Sequence, residues 1–179
     1  MTAQAPGLAE RVFAQFLALE CQARAAQDID SLAYALVNDA QSMFGYRHAA
    51  LLIAGKVRAL SGVSIVEPNA PFVAFVENAA AQLLAQNLSD KAHTVNRAAL
   101  STQTQADWQS LSAAAVFWLP LIDRQQHPFG GLWIAREQAW SDAEQALLSQ
   151  LGDSYSHAWL ALQPSKPWRL RWPRKKILA

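Results

Sequence analysis

Four histidines and one cysteine are the side chains in this sequence with the most obvious potential for catalysis or metal binding. The histidines are His48, His93, His127 and His157. No two of them stand three or four residues apart, so no helix can present a pair of imidazoles to a metal ion. We therefore expect packed or capped histidines, no metal site and no bound cofactor.

The single cysteine, Cys21, excludes an intramolecular disulfide and a zinc site built from several thiolates. It lies near the apolar stripe of the first predicted helix, and we expect a small core side chain there. The phosphate-binding patterns GxxxxGKS and GxxxxGKT, the dinucleotide pattern GxGxxG and the nucleophile pattern GxSxG are absent. No pair of carboxylates stands out for acid–base work. The sequence therefore predicts a protein that is not an enzyme.

Aromatic side chains are the other candidates, because pockets for small molecules are commonly lined by them. The chain has seven tryptophans. Trp118, Trp133 and Trp159 fall in apolar segments, and we expect them to be buried. Trp108 falls in a polar segment, where a large aromatic either closes a pocket or packs a loop onto the core.

The elements that position these side chains follow from apolar periodicity and from turn residues. The first part of the chain is predicted to form a helix at 8–26, a helix from Asp28 or Asp30 to Gly45, and a hairpin of 47–54 with 57–66. A helix at 72–86 and a short helix at 104–112 follow. The last part is predicted to form a hairpin of 115–122 with 129–137 and a helix from the capping box of Ser141 and Glu144 to Pro164. Tight hairpins predict an antiparallel sheet, and helices must cover it, so we expect a layered α+β domain.

Charge divides the chain into two parts. Residues 164–179 hold six of the 15 basic residues and no acid, whereas residues 1–163 hold all 14 acids and have a net charge of −5. We therefore expect a globular domain at 1–163 and an interaction tail at 164–179. The acidic domain disfavours nucleic acid as a partner. Residues 1–15 lack the pattern of a signal peptide, and no apolar run approaches the roughly 18 residues that span a bilayer.

Three short motifs near the end of the domain resemble the GAF family. They are Leu119-Pro120-Leu121, then Gly131-Leu132-Trp133-Ile134-Ala135-Arg136, then Trp140-Ser141 with Glu144, Leu147 and Leu148. The resemblance spans residues 8–162. It implies a three-layer fold with an antiparallel sheet of about five or six strands and helices on both faces. It also implies a homodimer formed through the first and last helices, at 8–26 and 141–162.

A pocket for a small molecule, of unknown identity, is a further implication of the resemblance. In this family such pockets lie between the sheet and the segment that corresponds to 70–114. Phe72, Phe75, Trp108 and Trp118 are then the candidate ligand-binding side chains. The chain lacks the cyclic-nucleotide signature and a pocket cysteine for a bilin, so neither ligand is expected.

The tail adds a second resemblance, to the cytosolic N-terminal part of HlyD-type membrane fusion proteins, which are adaptors of efflux and secretion systems. This implies a cytoplasmic domain tethered to the inner membrane, and a chain cut just before a transmembrane helix. Tryptophan prefers the membrane interface, and basic residues stay on the cytoplasmic side and are attracted by anionic lipid. The candidate membrane-anchor residues are Trp168, Arg169, Arg171, Trp172, Arg174, Lys175 and Lys176.

Two other functions remain open at this point. The first is a stand-alone small-molecule sensor that signals through dimerisation. The second is a thiol enzyme, which the lone Cys21 disfavours. The sequence favours the non-catalytic sensory, regulatory or scaffolding domain of an efflux or secretion adaptor.

Overall fold

Among residues 7–163, which the computed structural model describes, the chain forms six α-helices and five strands. The helices are α1 (Leu8–Ala25), α2 (Ile29–Asn38), α3 (Gln41–Phe44), α4 (Pro71–Ala85), α5 (Thr102–Leu111) and α6 (Asp142–Leu162). The strands are β1 (His48–Ile53), β2 (Lys56–Leu60), β3 (His93–Thr94), β4 (Ala115–Ile122) and β5 (Pro128–Arg136). A 3₁₀ turn spans Arg97–Ala99.

One antiparallel sheet in the order β2-β1-β5-β4-β3 forms the middle layer. Side chains alternate between its faces, as in β5, where Leu132 and Ile134 pack in one cluster and Trp133 and Ala135 in the other. Helices α1, α2 and α6 cover the first face, and α4 and α5 cover the second. Both faces are therefore dry, and the prediction of a three-layer α+β fold is confirmed.

Most predicted elements occur within a residue or two of their expected bounds, but three details of the prediction were wrong. The helix that was predicted from Asp28 is divided into α2 and α3. At the end of α2, the carbonyl of Val37 accepts a hydrogen bond from the Tyr46 hydroxyl (2.8 Å). The second strand of the first hairpin ends at Leu60, because Gly62 turns the chain back with φ of 71°. The third is strand β3, which was not predicted, because it lies in a segment where the sequence shows no clear apolar pattern.

A buried arginine joins the end of β5 to the start of α6. Arg136 donates two hydrogen bonds to the Glu144 carboxylate, both 2.7 Å long, and one to the carbonyl of Phe44 (2.8 Å). Its guanidinium carbon lies 3.8 Å from the ring centroid of Trp140. Ser141 caps α6 and also donates to Glu144. Hydrogen bonding from Arg136, above all other influences, lowers the pKa of Glu144 to about 2.

The outer edge of β2 is closed by side chains and by local irregularity. The carboxylate of Glu77 on α4 accepts hydrogen bonds from Lys56 Nζ (2.7 Å) and from the backbone N–H of Val57 (3.0 Å). Between Val57 and Ala59 the register with β1 shifts, and Arg58 is the extra residue. At the opposite edge of the sheet β3 has only two residues. Neither edge offers a long row of free backbone groups to another strand.

The Arg136–Glu144 pair predicts a specific loss of stability in acid. Because the pKa of Glu144 is about 2 in the folded state and 4.5 as the ordinary value, its contribution is complete well above pH 4.5 and falls as the pH drops through 4.5 towards 2. Glu144→Gln should lower the unfolding free energy at pH 7 by roughly 1.5–3 kcal/mol. Urea unfolding of both proteins from pH 7 to pH 2 should give a difference that is constant above about pH 5.5 and shrinks below it.

Glu137→Gln is the matched control, because Glu137 forms an exposed pair with Arg47 (3.3 Å). Its effect should stay below about 1 kcal/mol at every pH. An equal loss in both variants would contradict the special role of the buried pair.

Candidate functional site

The candidate site is the sheet face under α4 and α5. Helix α4 positions Phe72 and Phe75, helix α5 positions Trp108, and strand β4 positions Trp118. Pro71 starts α4 at its first position, and Ser101 caps α5 by accepting the N–H of Thr104. The long segment of 87–114 is therefore held in place by β3, the 3₁₀ turn and α5.

Three aromatic rings fill the centre of this face, and we call them the central aromatic cluster: Phe75, Trp108 and Trp133. Trp133 is 0% exposed, and the other two are 2% exposed. The ring centroid of Trp133 lies 5.6 Å from that of Phe75 and 5.2 Å from that of Trp108, both edge to face. Edge-to-face contact is a favourable arrangement of aromatic rings. The cluster occupies the middle of the face with side chains of the protein itself.

Trp108 packs into the core. Its indole N–H donates to the carbonyl of Ala113 (2.9 Å), which satisfies the one polar atom of the buried ring. Phe72 lies at the rim of the cluster, half-buried, with its centroid 6.3 Å from Phe75 and 5.6 Å from His48. Of the four predicted ligand-binding residues, Phe72, Phe75 and Trp108 are joined by direct ring contacts.

Trp118 lies on the same face, directly opposite Trp133 across β4 and β5, and it lines a cavity. Its indole N–H donates to the carbonyl of Ser89 (3.0 Å). Its ring fits over Gly131, where an added Cβ would come within 2.4 Å of a Trp118 ring carbon. The cavity beside it has a volume of about 210 Å³, and its lining includes Leu52, Ala80, Leu84 and Gly130. The ligand role of all four predicted residues stays a prediction.

A wider groove of about 730 Å³ runs along β2, between α2 and α4. Its charged groups are paired, Lys56 with Glu77 and Arg58 with Asp30. Exposed Tyr34, Val63 and Ile65 line the rest of it. The groove is open and mixed in character, and it brings together no nucleophile and base.

The histidines and the cysteine, which could in principle do chemistry, are scattered over the structure. His48 packs on Phe72, and burial, with a smaller effect of Arg47, lowers its pKa. His93 Nδ1 lies 2.7 Å from the carbonyl oxygen of Lys91, and His127 Nδ1 lies 3.8 Å from Asp123. Cys21 is exposed, so the prediction of a core cysteine was wrong, because the residue faces away from the buried stripe of α1.

Residues 7–163 contain no cluster of three His, Cys, Asp or Glu side chains able to hold a metal ion. In the same range no helix has the length and apolar character needed to cross a bilayer. The predicted anchor residues from Trp168 to Lys176 lie outside the described residues.

Sequence reasoning missed the remaining lining of the Trp118 cavity. Leu52, Ala80 and Leu84 look like ordinary core or surface positions along the chain. Only the crossing of α4 over β1 brings them near Trp118. A local signal for them does not exist in the sequence, since small alanines on a helix usually mark close packing.

Comparison with known proteins gives a family and a fold. The GAF domain family profile matches residues 28–159. No curated protein sequence matches the chain.

Several solved structures share the fold at low identity. A fragment of a methyl-accepting chemotaxis protein is 12% identical, with a TM-score of 0.58 over 80% of this chain and 96% of the fragment. The GAF domain of an Acinetobacter phosphoenolpyruvate-protein phosphotransferase is 9% identical, with a TM-score of 0.58 over 83% of this chain and 92% of that domain. The chromophore-binding domain of a bacteriophytochrome from R. palustris is 8% identical, with a TM-score of 0.62 over 89% of this chain, which spans 63% of it.

Removing a ring of the central aromatic cluster should be costly. Trp108→Ala should lower the unfolding free energy by about 3–5 kcal/mol, because it leaves a cavity in a packed face. Chemical unfolding measures the loss, and Ile65→Ala, at a residue that is 79% exposed, is the control with an expected loss within about 0.5 kcal/mol. A loss below about 1 kcal/mol in Trp108→Ala would contradict the core role of this ring.

Proposed function

Because the chain belongs to the GAF domain family, we propose that it is a non-catalytic regulatory or scaffolding domain that its basic C-terminal segment holds at the cytoplasmic face of an inner membrane. The observation that carries the proposal is the filled centre of the face under α4 and α5. Because its own aromatic rings fill the centre of this face, the domain would regulate through contacts of its surface with other molecules. Any ligand bound at this face would be limited to a small site at its periphery.

The size of the remaining cavity supports this proposal. Pockets that enclose drug-sized ligands have volumes of about 300–1,000 Å³. The cavity beside Trp118, at about 210 Å³, is smaller. The bacteriophytochrome fragment with the same fold is a chromophore-binding domain. In this chain Phe75, Trp108 and Trp133 occupy the centre of the face under α4 and α5.

The absence of a convergent catalytic group supports a non-catalytic role. Cys21 is exposed on α1, far along the chain from the aromatic face, and His157 is exposed on α6. Among residues 7–163 the strongest pKa perturbation of a carboxyl group, at Glu144, comes from a structural ion pair with Arg136. Such a pair fixes two elements and has no open position for a substrate.

The membrane part of the proposal comes from the charge division of the sequence. A domain of net charge −5 is repelled by anionic lipid, so attraction must come from the six basic residues of 164–179. Two tryptophans in the same segment add an interfacial contribution. In this proposal the chain belongs to an adaptor of an efflux or secretion system, as its resemblance to HlyD-type proteins implies.

The tail should bind anionic vesicles through its charge. In flotation with vesicles of phosphatidylcholine and phosphatidylglycerol, Arg174→Glu, Lys175→Glu and Lys176→Glu together should weaken binding at least about 100-fold, since each basic residue contributes about 1 kcal/mol. High salt should weaken wild-type binding as well.

A variant with the same change in net charge, but with its substitutions in the globular domain, serves as the control. It carries Arg47→Glu, Lys91→Glu and Arg124→Glu at exposed positions of the domain. It should bind within about threefold of the wild type, because only charges close to the membrane surface contribute strongly. Vesicle binding that survives both the tail reversal and high salt would refute the electrostatic anchor.

A stand-alone sensor that signals through dimerisation is the second candidate, and one surface favours it. Helix α1 buries Phe16, Leu19 and Ala23 but leaves Phe13 62% exposed and Leu17 40% exposed. These two side chains stand four residues apart on one side of the helix, so they form a continuous apolar strip. A strip of this kind is suited to contact with a second copy of the chain.

Sedimentation velocity of surface variants decides whether α1 forms a dimer interface. Phe13→Lys with Leu17→Lys should give a monomer, whereas Gln15→Lys with Gln22→Lys, on the other flank of α1, should leave the dimer intact. Both variants should keep the melting temperature of the wild-type monomer, measured at a protein concentration low enough to dissociate the dimer, because all four positions are exposed. A wild type that stays monomeric at about 100 μM, or a dimer that survives the first variant, would reject this interface.

A further inference from the structure

A separate cavity lies away from the sheet, between α1 and the segment where α2 ends and α3 begins. Its volume is about 210 Å³. The described lining residues are Gln15, Ala18, Leu19, Gln22, Asp39, Ser42 and Met43. The two glutamines and the serine are exposed, so the cavity presents polar surface that a ligand can reach. It lies on the opposite side of the sheet from α4 and α5.

Asp39 is the charged residue of this lining, and its carboxylate is unpaired. The side chain is half-buried. Within residues 7–163 it forms no ion pair and accepts no hydrogen bond, and burial raises the pKa of this carboxyl group. A carboxylate that is withdrawn from water without a compensating contact is costly. The cavity therefore contains a negative charge that the described part of the chain leaves unbalanced.

The position of Asp39 at a helix end makes this charge still less favourable. Asp39 directly follows the last residue of α2, and the C-terminal end of a helix is itself negative. The last turn of α2 contains no basic residue. The charge also reaches the core, because burial first, and the Asp39 carboxylate in addition, raise the pKa of Tyr46. A positive group in this cavity would compensate both the carboxylate and the helix end.

The uncharged polar groups around Asp39 suit a flat cation with several N–H donors. Gln15, Gln22 and Ser42 each have an oxygen that can accept a hydrogen bond, and none of the three side chains is hydrogen-bonded within residues 7–163. A guanidinium group has five N–H donors in one plane. Two of them can pair with the two oxygens of a carboxylate, and the other three can reach neighbouring acceptors. An ammonium group is more strongly hydrated and lacks this planar arrangement.

The floor of the cavity suits a short apolar chain attached to the cation. Leu19 is 6% exposed and Met43 is half-buried. The unbranched methionine side chain can adapt to the shape of a ligand. A volume of about 210 Å³ equals that of about seven molecules of liquid water. This space is sufficient for a guanidinium group with a chain of a few carbon atoms.

We propose that this cavity is a binding site for a guanidinium group on a short alkyl chain. Two parallel N–H donors of the ligand pair with the carboxylate of Asp39. The remaining donors face Gln15 and Gln22, and the alkyl chain lies over Leu19 and Met43. The ligand joins α1 to the end of α2 and thereby strengthens the attachment of α1. The proposal goes beyond the proposed function and does not depend on the membrane tether.

Isothermal titration calorimetry of the full chain with n-butylguanidinium tests the site. The wild type should bind the probe saturably, and Asp39→Asn should weaken binding at least tenfold, because the amide keeps the shape but removes the charge and one acceptor. Asp39→Asn should also keep or raise the melting temperature, since it removes an unpaired carboxylate. Asp90→Asn is the matched control, with the same change of charge at an exposed position outside the lining, and should bind within twofold of the wild type.

The shape of the cavity is tested by a second pair of variants on α1. Ala18→Leu should obstruct the cavity from an exposed position and weaken binding at least tenfold without affecting folding. Ala14→Leu, one turn earlier, is also exposed but lies outside the lining, and it should bind within twofold of the wild type. Neutral n-butylurea, which has a similar shape, should bind the wild type at least tenfold more weakly than n-butylguanidinium.

The guanidinium group can belong to a separate compound or to an arginine of residues 164–179. A variant with Arg169→Gln, Arg171→Gln and Arg174→Gln distinguishes these sources. Tighter binding of the probe to this variant identifies a competing arginine of the same chain, whereas equal binding identifies a separate compound, and both results retain the site. Wild-type binding that does not saturate below about 10 mM, equal binding of n-butylurea, or unchanged binding in Asp39→Asn would overturn the proposal.

Discussion

Burial of Trp133 on the central strand β5 is the packing constraint on which the face under α4 and α5 depends. The ring is 0% exposed and touches Phe75 from α4 and Trp108 from α5, so it joins both covering helices to the sheet. Its indole N–H has no hydrogen-bond acceptor among the described residues. An unpaired buried donor costs about 1–3 kcal/mol, and two edge-to-face ring contacts contribute a similar amount in the opposite direction. The arrangement is therefore maintained by close aromatic packing.

The last of the three motifs that resemble the GAF family has a structural role in this chain. Trp140, Ser141 and Glu144 all act at the start of α6, where Glu144 holds Arg136 and Trp140 lies against the guanidinium group. This interaction fixes how the last helix leaves the sheet. The motif lies on the face opposite the Trp118 cavity, so its presence carries no information about a ligand. This explains how a chain can keep the motif and yet fill the centre of the face under α4 and α5 with its own side chains.

The helices, the two hairpins and the capping box could be predicted from the sequence because each has a local cause: apolar periodicity, turn residues or a capping pair. Strand β3 could not, since its two residues are held by pairing with Phe117 and Trp118, which lie more than twenty residues further along the chain. The candidate site shows the same division. Phe75, Trp108 and Trp118 could be chosen by type, but the position of the Trp118 ring depends on Gly131 and on the carbonyl of Ser89, which lie elsewhere in the chain. Cys21 was misplaced because an apolar stripe in a sequence does not show which flank of a helix meets the core.

The closed edges of the sheet would matter under the proposed tether to a membrane surface. Tethering at a surface confines molecules to two dimensions and raises their collision frequency, and exposed strand edges would then promote irreversible aggregation. Here Glu77 occupies the free backbone donor of Val57, the extra residue Arg58 interrupts the pairing of β2, and β3 is too short to serve as a template. Contact between tethered copies would then have to use the helical surfaces, and their sheets would not join edge to edge.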